Sequence, residues 1–398
     1  MKVDALFTGQ MIRILRQRLK LSQKELCSGI CTVSYLSKIE RDEAKCHEEI
    51  KKKLLGVLGF RELEKDEDEE IRITLSNFFD SAVEIQPDEK ILASIREKAL
   101  KSRYFLSFCL AWAMCHEKKE AEDEFSIIES QNDILSPDLK AFYFMIKADE
   151  CPSFEEMLSY ASLAWKEKKR ADTASFYLYA LYCNGKVSQF LKTLDEAELI
   201  AVRSGALVRL AEIYSFAAST YNLSASMENC YEHYKMALRI YEKLNMVKES
   251  DETYYNLASC LLDEKKSKEA LFYLGKIKNP EKVYLFHHKM CLALLMEGRK
   301  DEAEKELDIF KEDKSPLSLL FQNVLEFRIK CDCYLSDSAY LEALERLYRY
   351  LKENMHFSFI STYAKDLIEA LKAQRKYQRA LYVAEEMRTL FSTEENFS

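Results

Sequence analysis

Apolar residues recur at helical spacing along almost the whole chain, and the first sixty residues show it most sharply. Over residues 8–20, Met11, Ile12, Leu15 and Leu19 fall on one face while Arg13, Arg16, Arg18 and Lys20 face away, the period of an amphipathic helix. Ser22 can offer its hydroxyl to exposed backbone N–H groups, and Glu25 completes a capping box, so a second helix starts here with Leu26 as its buried residue. Gly29 stands where the chain must turn through positive φ. Thr32 caps a third helix in which Leu36 and Ile39 point one way and Val33, Ser34, Ser37 and Lys38 the other. A last helix over residues 48–58 supplies Ile50, Leu54, Leu55 and Leu58 as a closing face, with Lys51, Lys52 and Lys53 exposed. The pair after Ser22 and Thr32 has the pattern of a helix-turn-helix, whose second helix enters a DNA major groove.

Residues 61–70 carry seven acids against two bases. Such a run repels itself and buries nothing, so it reads as a linker or a solvated helix start. From Ile71 the helical periodicity resumes. Small residues recur at Cys230, Ala270, Ala303, Ala343 and Ala380, at intervals of 33 to 40 residues, which suits stacked helical hairpins. In the unit beginning at Thr253, the residues Tyr254, Leu257, Ala258, Leu261, Ala270 and Leu274 occupy the apolar positions of a tetratricopeptide (TPR) repeat. Cys291, Leu294, Ala303 and Leu307 do so in the next. Residues 100–129, 138–168, 173–203 and 207–243 keep the rhythm with weaker signatures. The predicted fold is all-α: a helix-turn-helix domain over 1–60, an acidic linker over 61–70, and a TPR-like right-handed α-solenoid of about seven or eight helix pairs over 71–398.

Composition sharpens this. Hydrophobic content of 48% with 12% aromatics excludes global disorder, and eight Gly in 398 residues, none between Gly59 and Gly185, favour helix throughout. The formal charge of −8 is divided unevenly: residues 1–60 hold twelve Lys and Arg against seven Asp and Glu, a net +5, leaving −13 for the rest. Only the first sixty residues suit an approach to phosphate. The twelve Cys lie mostly in apolar helical stretches and include no CxxC, so buried thiols in a reducing compartment are expected and a metal site is not. The start has no signal-peptide pattern and no apolar window of about 18 residues occurs, which points to a cytoplasmic protein without a membrane span.

Leu21-Ser-Gln-Lys-Glu-Leu followed by Leu36-Ser-Lys-Ile-Glu40 resembles the XRE-family helix-turn-helix. With the acidic stretch and the repeats, the whole chain resembles the RRNPP group of peptide-pheromone receptors (PlcR-like and NprR-like regulators). Cys27 stands where the pattern usually has Ala and Asp42 where it has Gly; Cys is nearly as small, and Asp tolerates the left-handed conformation. The resemblance implies a quorum-sensing transcription regulator that acts as a homodimer, binds a double-stranded DNA operator and responds to a short signalling peptide in the concave face of its TPR array.

Val33, Ser34, Ser37 and Lys38 are then the base- or phosphate-facing candidates, with Gln23 and Tyr35 at the DNA backbone; the plain alternative is a solvated helix face. For the peptide, Ala258 as the crossing residue puts Tyr255, Asn256, Ser259, Leu262 and Asp263 inside, and the same offset from Ala303 gives His288, Lys289 and Leu292, with Asn222, Asn323 and Arg328 on neighbouring first helices. An Asn amide can both donate to and accept from a peptide backbone, and receptors of the resembled group use concave-face asparagines in this way, so Asn256 is the leading candidate. The alternative is a protein–protein adaptor in which the N-terminal helices only dock. Nothing suggests an enzyme, a catalytic residue or a cofactor: the six His form no HExxH, and no Gly-rich phosphate loop occurs.

Overall fold

The computed structural model describes Val3 and residues 5–60, 63–85, 89–354 and 357–392, and all regular structure among them is helical. Arg61 and Glu62 of the acidic run and residues 393–398 lie outside the described residues. The chain forms two compact units, Met1–Glu150 with Ser159–Thr173, and Cys151–Leu158 with Ala174–Ser398.

The first unit opens with α1 (Thr8–Arg18), α2 (Gln23–Leu26), α3 (Val33–Glu40) and α4 (Glu48–Val57). The caps are those the sequence implies. The Ser22 hydroxyl accepts from the Glu25 N–H at 3.1 Å, the Glu25 carboxylate accepts from the Ser22 N–H at 2.7 Å, and Thr32 accepts from the Tyr35 N–H at 3.2 Å. Gly29 (φ 70°) and Asp42 (φ 57°) both take the left-handed conformation. Ile12, Leu26, Leu36, Ile39, Leu54 and Leu55 are buried together. Four expectations fail here. Lys51, expected exposed, has a side chain only 20% exposed, and Arg13, expected to face away, is half-buried with its Nε shut off from solvent. Leu19 is 50% exposed, because α1 ends at Arg18 and Lys20 turns left-handed. Arg16 does not face outward. It lies one turn beyond Ile12, on the edge of the buried stripe, and its Nε and Nη2 donate to the two oxygens of Glu40 at 2.6 and 2.8 Å while Nη1 donates to the Leu21 carbonyl at 2.8 Å. Gln23 Nε2 also donates to Glu40 at 2.8 Å. A carboxyl group only 3% exposed needs hydrogen-bond partners of this kind.

From Lys65 onward the acidic run is the start of a helix, α5 (Lys65–Glu84). Asp66, Glu67 and Asp68 occupy its first turn, where carboxylates favour the positive end of the helix dipole. Asp68 pairs with Arg103 at 2.5 Å and Glu70 with Lys98 at 3.1 Å. From Ile71 onward α5 packs into one hydrophobic core with α1–α4 and with α6 (Glu89–Ala93), α7 (Arg96–Ala99), α8 (Phe105–Ala113), α9 (Glu122–Gln131) and α10 (Pro137–Asp149).

Two helices, α11 (Phe154–Glu167) and α12 (Ala171–Cys183), span the division between the units. The second unit continues with α13 (Val187–Ser204), α14 (Leu207–Leu223), α15 (Met227–Lys243), α16 (Val247–Asp263), α17 (Ser267–Leu274) and α18 (Phe286–Met296). After these come α19 (Lys300–Phe310), α20 (Pro316–Lys330), α21 (Ser338–Asn354), α22 (Phe357–Ala373) and α23 (Tyr377–Ser392). Even-numbered helices are the first members of hairpins. The repeated small residues Cys230, Ala270, Ala303, Ala343 and Ala380 are all buried, as are Ala258 and Cys291 opposite them, so backbones meet closely at each crossing. This is the TPR-like solenoid expected from the sequence. Its tight turns place Ala225, Asn245, Lys265 and Arg375 in the left-handed region, closing each preceding helix without glycine.

His288 departs from the expected groove position. It is 2% exposed, with its ring 4.3 Å from that of Phe321 and its Nε2 2.9 Å from the Tyr363 hydroxyl. It stands three residues before the crossing residue Cys291, on the edge of α18 that turns toward α20 and α22 rather than toward the cavity. Burial, reinforced by Lys289 and Arg328, holds its imidazole neutral, well below the usual 6.5.

Two outcomes follow from this packing. A Cβ added at Gly9 would lie 1.8 Å from the Ile39 carbonyl oxygen, where rigid backbone cannot yield. Gly9→Ala should therefore force α1 off α3, and urea or thermal unfolding should show a loss of at least about 1–3 kcal/mol. Because the folded His288 resists protonation, the unfolded chain binds the extra proton as pH falls below about 6.5, and stability drops down to the folded-state pKa. The contribution is at most about 1.4 kcal/mol per pH unit. Urea titrations between pH 7.5 and 5.5 should show His288→Gln losing less stability on acidification than the parent; equal losses would refute the assignment.

Candidate nucleic-acid interface and ligand groove

The outer face of α3 presents four side chains that its packing leaves unused. Val33 is 43% exposed, Ser34 and Lys38 are exposed and Ser37 is half-buried. Behind them Leu36 and Ile39 anchor the helix, and the Glu40 clamp fixes its C-terminal end. The remaining two candidates are partly committed to the protein. Gln23 gives its amide N–H to Glu40, and the Tyr35 hydroxyl donates to the Lys45 carbonyl at 2.9 Å, holding the loop that follows α3.

In the second unit, a cavity of about 530 Å³ is lined almost entirely by first helices of hairpins. Tyr179 and Tyr182 come from α12, Phe216 and Asn222 from α14, Tyr255, Asn256, Ser259 and Asp263 from α16, Lys289 from α18, and Thr362, Tyr363 and Lys365 from α22. A second cavity of about 330 Å³ shares Asp263, Lys289, Thr362 and Tyr363 and extends to Arg328. Asn256 is exposed on the wall. Ser259 Oγ donates to the Tyr255 carbonyl at 3.0 Å, and the Tyr255 hydroxyl is shut off from solvent without a hydrogen-bond partner; burial pushes its pKa up. Burial also raises the Asp263 carboxyl, against the opposing pull of Lys289 and Lys365 and a hydrogen bond from Asn222.

Six of the eleven candidates therefore line the main cavity: Asn222, Tyr255, Asn256, Ser259, Asp263 and Lys289. Leu262, Leu292 and Arg328 border only the second, where the Arg328 Nη2 meets Asp366 at 2.8 Å and its Nε the Tyr340 hydroxyl at 3.0 Å. Burial works against the Arg328 charge, but Asp366 and Tyr340 keep its pKa raised. Asn323 is half-buried on α20 and lines neither cavity, and His288 is in the core. Sequence reasoning missed Tyr179, Tyr182, Phe216, Thr362, Tyr363 and Lys365. The signal for three of them was present: the offsets used from Ala258, applied to Ala218 and Ala364, select Phe216, Thr362 and Lys365.

Residues 12–64 match the family model of a helix-turn-helix, HTH_3. No curated protein matches the sequence significantly. Among solved structures, a Rap protein complexed with competence and sporulation factor superposes with a TM-score of 0.62 at 15% identity, covering 81% of this chain and 98% of that one. The apo form of RapI gives 0.55 at 13% identity, with 81% and 98% covered. Aspartyl phosphate phosphatase F from Bacillus subtilis gives 0.51 at 15% identity, with 99% and 97% covered. At such identities the likeness is one of fold. The chain thus carries a helix-turn-helix domain and continues as a helical-repeat solenoid with the fold of Rap proteins.

Proposed function

We propose that the protein is a DNA-binding transcription regulator, not an enzyme, whose DNA affinity is switched by a short signalling peptide in the groove of its repeats. The observation that carries the reading is the outer face of α3, where Val33, Ser34, Ser37 and Lys38 stand on a helix whose buried Glu40 is met by Arg16 and Gln23. Val33 suits contact with a thymine methyl, Ser34 and Ser37 suit base edges or phosphate, and Lys38 suits guanine or phosphate. The net +5 of residues 1–60 supplies the attraction, while the net −13 of the remainder keeps the repeats off the duplex. Acting as a homodimer in the cytoplasm, the protein would meet two half-sites about 34 Å apart, or a multiple of that.

In the groove, the exposed Asn256 amide offers one donor and one acceptor to a peptide backbone, with the ring of Tyr255 next to it. A peptide that binds one curvature of the repeats better than another shifts the population toward it and so changes operator affinity.

Fluorescence anisotropy with duplexes drawn from the region upstream of its own gene tests the reading. Lys38→Gln should weaken binding about tenfold, and if Lys38 meets phosphate the salt slope should fall by about one. Asn256→Ala should leave DNA binding by the free protein unchanged and abolish the response to peptide. A parent protein with no sequence preference and no salt-dependent DNA affinity would favour the adaptor reading instead.

A further inference from the structure

Four cations border the two cavities of the second unit: Lys289, Lys300, Arg328 and Lys365. Two are already matched. Arg328 is held by Asp366 at 2.8 Å, and Lys300 is paired with Asp332. The other two have no such partner. Among the described residues no carboxylate oxygen comes within 4.0 Å of Lys289 or Lys365. Lys365 is exposed and stays hydrated. Lys289 differs, because it is only 7% exposed and the two cavities meet at it. An ammonium set in such a recess with no contacting counter-charge keeps its donors for whatever fills the cavities. Asp263 is near enough to influence Lys289 but does not touch it, and its own carboxylate is disfavoured by burial. Even with Asp263 ionised, Lys289, Lys365 and Asp263 together leave one positive charge in excess.

We propose that Lys289 and Lys365 form a carboxylate-binding site where the two cavities join, and that this site receives the anionic group of the groove ligand. The inference rests on the groove being a peptide site, and it adds a direction to the ligand. The main cavity is aromatic at its other end, where the rings of Tyr179 and Phe216 meet at a tilt of 40° with centroids 5.2 Å apart. A carboxylate fixed by α18 and α22 would leave the rest of the peptide to run along α16, past Asn256, toward apolar contacts on α14 and α12. Ammonium and carboxylate pair strongly in such a screened place, whereas an amide in the same position would leave Lys289 unsatisfied.

The test uses the full chain with its lysines ¹³C-dimethylated, Lys289→Arg identifying the Lys289 resonance. N-acetyl-Ala-Ala as the free acid, at millimolar concentration, should shift that resonance, and its carboxamide should not. In a second arm, heptapeptides selected on the full-length protein from a random library should bind at least tenfold more weakly to Lys289→Gln. Lys289→Arg should stay within a few-fold of the parent, and Lys300→Gln within twofold, with melting curves confirming that each variant is folded. Loss on C-terminal amidation assigns the carboxylate to the peptide terminus; loss only on Asp→Asn or Glu→Gln replacement assigns it to a side chain. A Lys289 resonance indifferent to the acid, or selected peptides indifferent to both changes, overturns the proposal. A resonance that responds to the acid while the library yields no binder supports the anion site and overturns the peptide reading.

Discussion

The repeats depend on one steric constraint: paired helices must approach closely at a point where neither carries a bulky side chain. Ala258 against Ala270 and Cys291 against Ala303 meet this requirement, and the Cys291 thiol lies 3.4 Å from the Ala303 carbonyl. Once the crossing point is set, the rotation of each first helix is set with it, because successive residues are displaced by about 100°. The groove face is then a fixed arc beside the crossing residue that holds the positions two before and one after it, as Asn256 and Ser259 stand to Ala258. Asn222, Asn256 and Lys289 come together in this way although they stand on three different helices. The groove is thus a by-product of packing, and its chemistry is free to vary while the small residues are not.

The same constraint explains what was readable in the sequence. Ser22, Glu25, Gly29 and Thr32 act within four residues of themselves, so their roles could be read without any tertiary structure, and each took the cap or turn its chemistry suggests. The α16 face was readable because Ala258 declared its phase. Most of the missed groove residues sit on α12, α14 and α22, whose crossing residues went unassigned, not on a different kind of surface. His288 was harder. Its offset matched that of Tyr255, and both positions lie on the edge of the groove face, but only in α18 does that edge meet the rings of Phe321 and Tyr363. Whether an edge residue faces solvent or core is decided by residues 33 and 75 positions away, which a local pattern does not contain.

Arg16 shows the limit from the other side. Its spacing from Ile12 places it on the inner edge of α1, yet an arginine there looks solvated until Glu40 is seen to need it. One carboxylate gathers Arg16 from α1 and Gln23 from α2 at the end of α3, and Arg16 also reaches the Leu21 carbonyl. Replacing such a pair by apolar groups can be nearly neutral, while removing one partner leaves a buried charge that costs about 3–5 kcal/mol. The clamp therefore contributes orientation: it ties α3 to the two helices that support it.

That rigidity extends past residue 60, which bears on how a ligand signal would reach α3. A flexible acidic tether would let the helix-turn-helix move freely and would make curvature in the repeats irrelevant to half-site spacing. The first unit has no such tether among its described residues. Helix α5 begins at Lys65, its Ile71 and Leu75 enter the core shared with α1–α4, the Leu6 N–H donates to the Arg103 carbonyl at 2.9 Å, and the Arg18 guanidinium lies 5.8 Å from the centre of the Phe105 ring. Apolar burial on this scale resists small forces far better than the exposed pairs Asp68–Arg103 and Glu70–Lys98 would alone. Helix α3 is joined to the hairpins from α5 to α10 as one packed body, so a displacement delivered to those hairpins would be passed to α3 whole instead of being lost in a hinge.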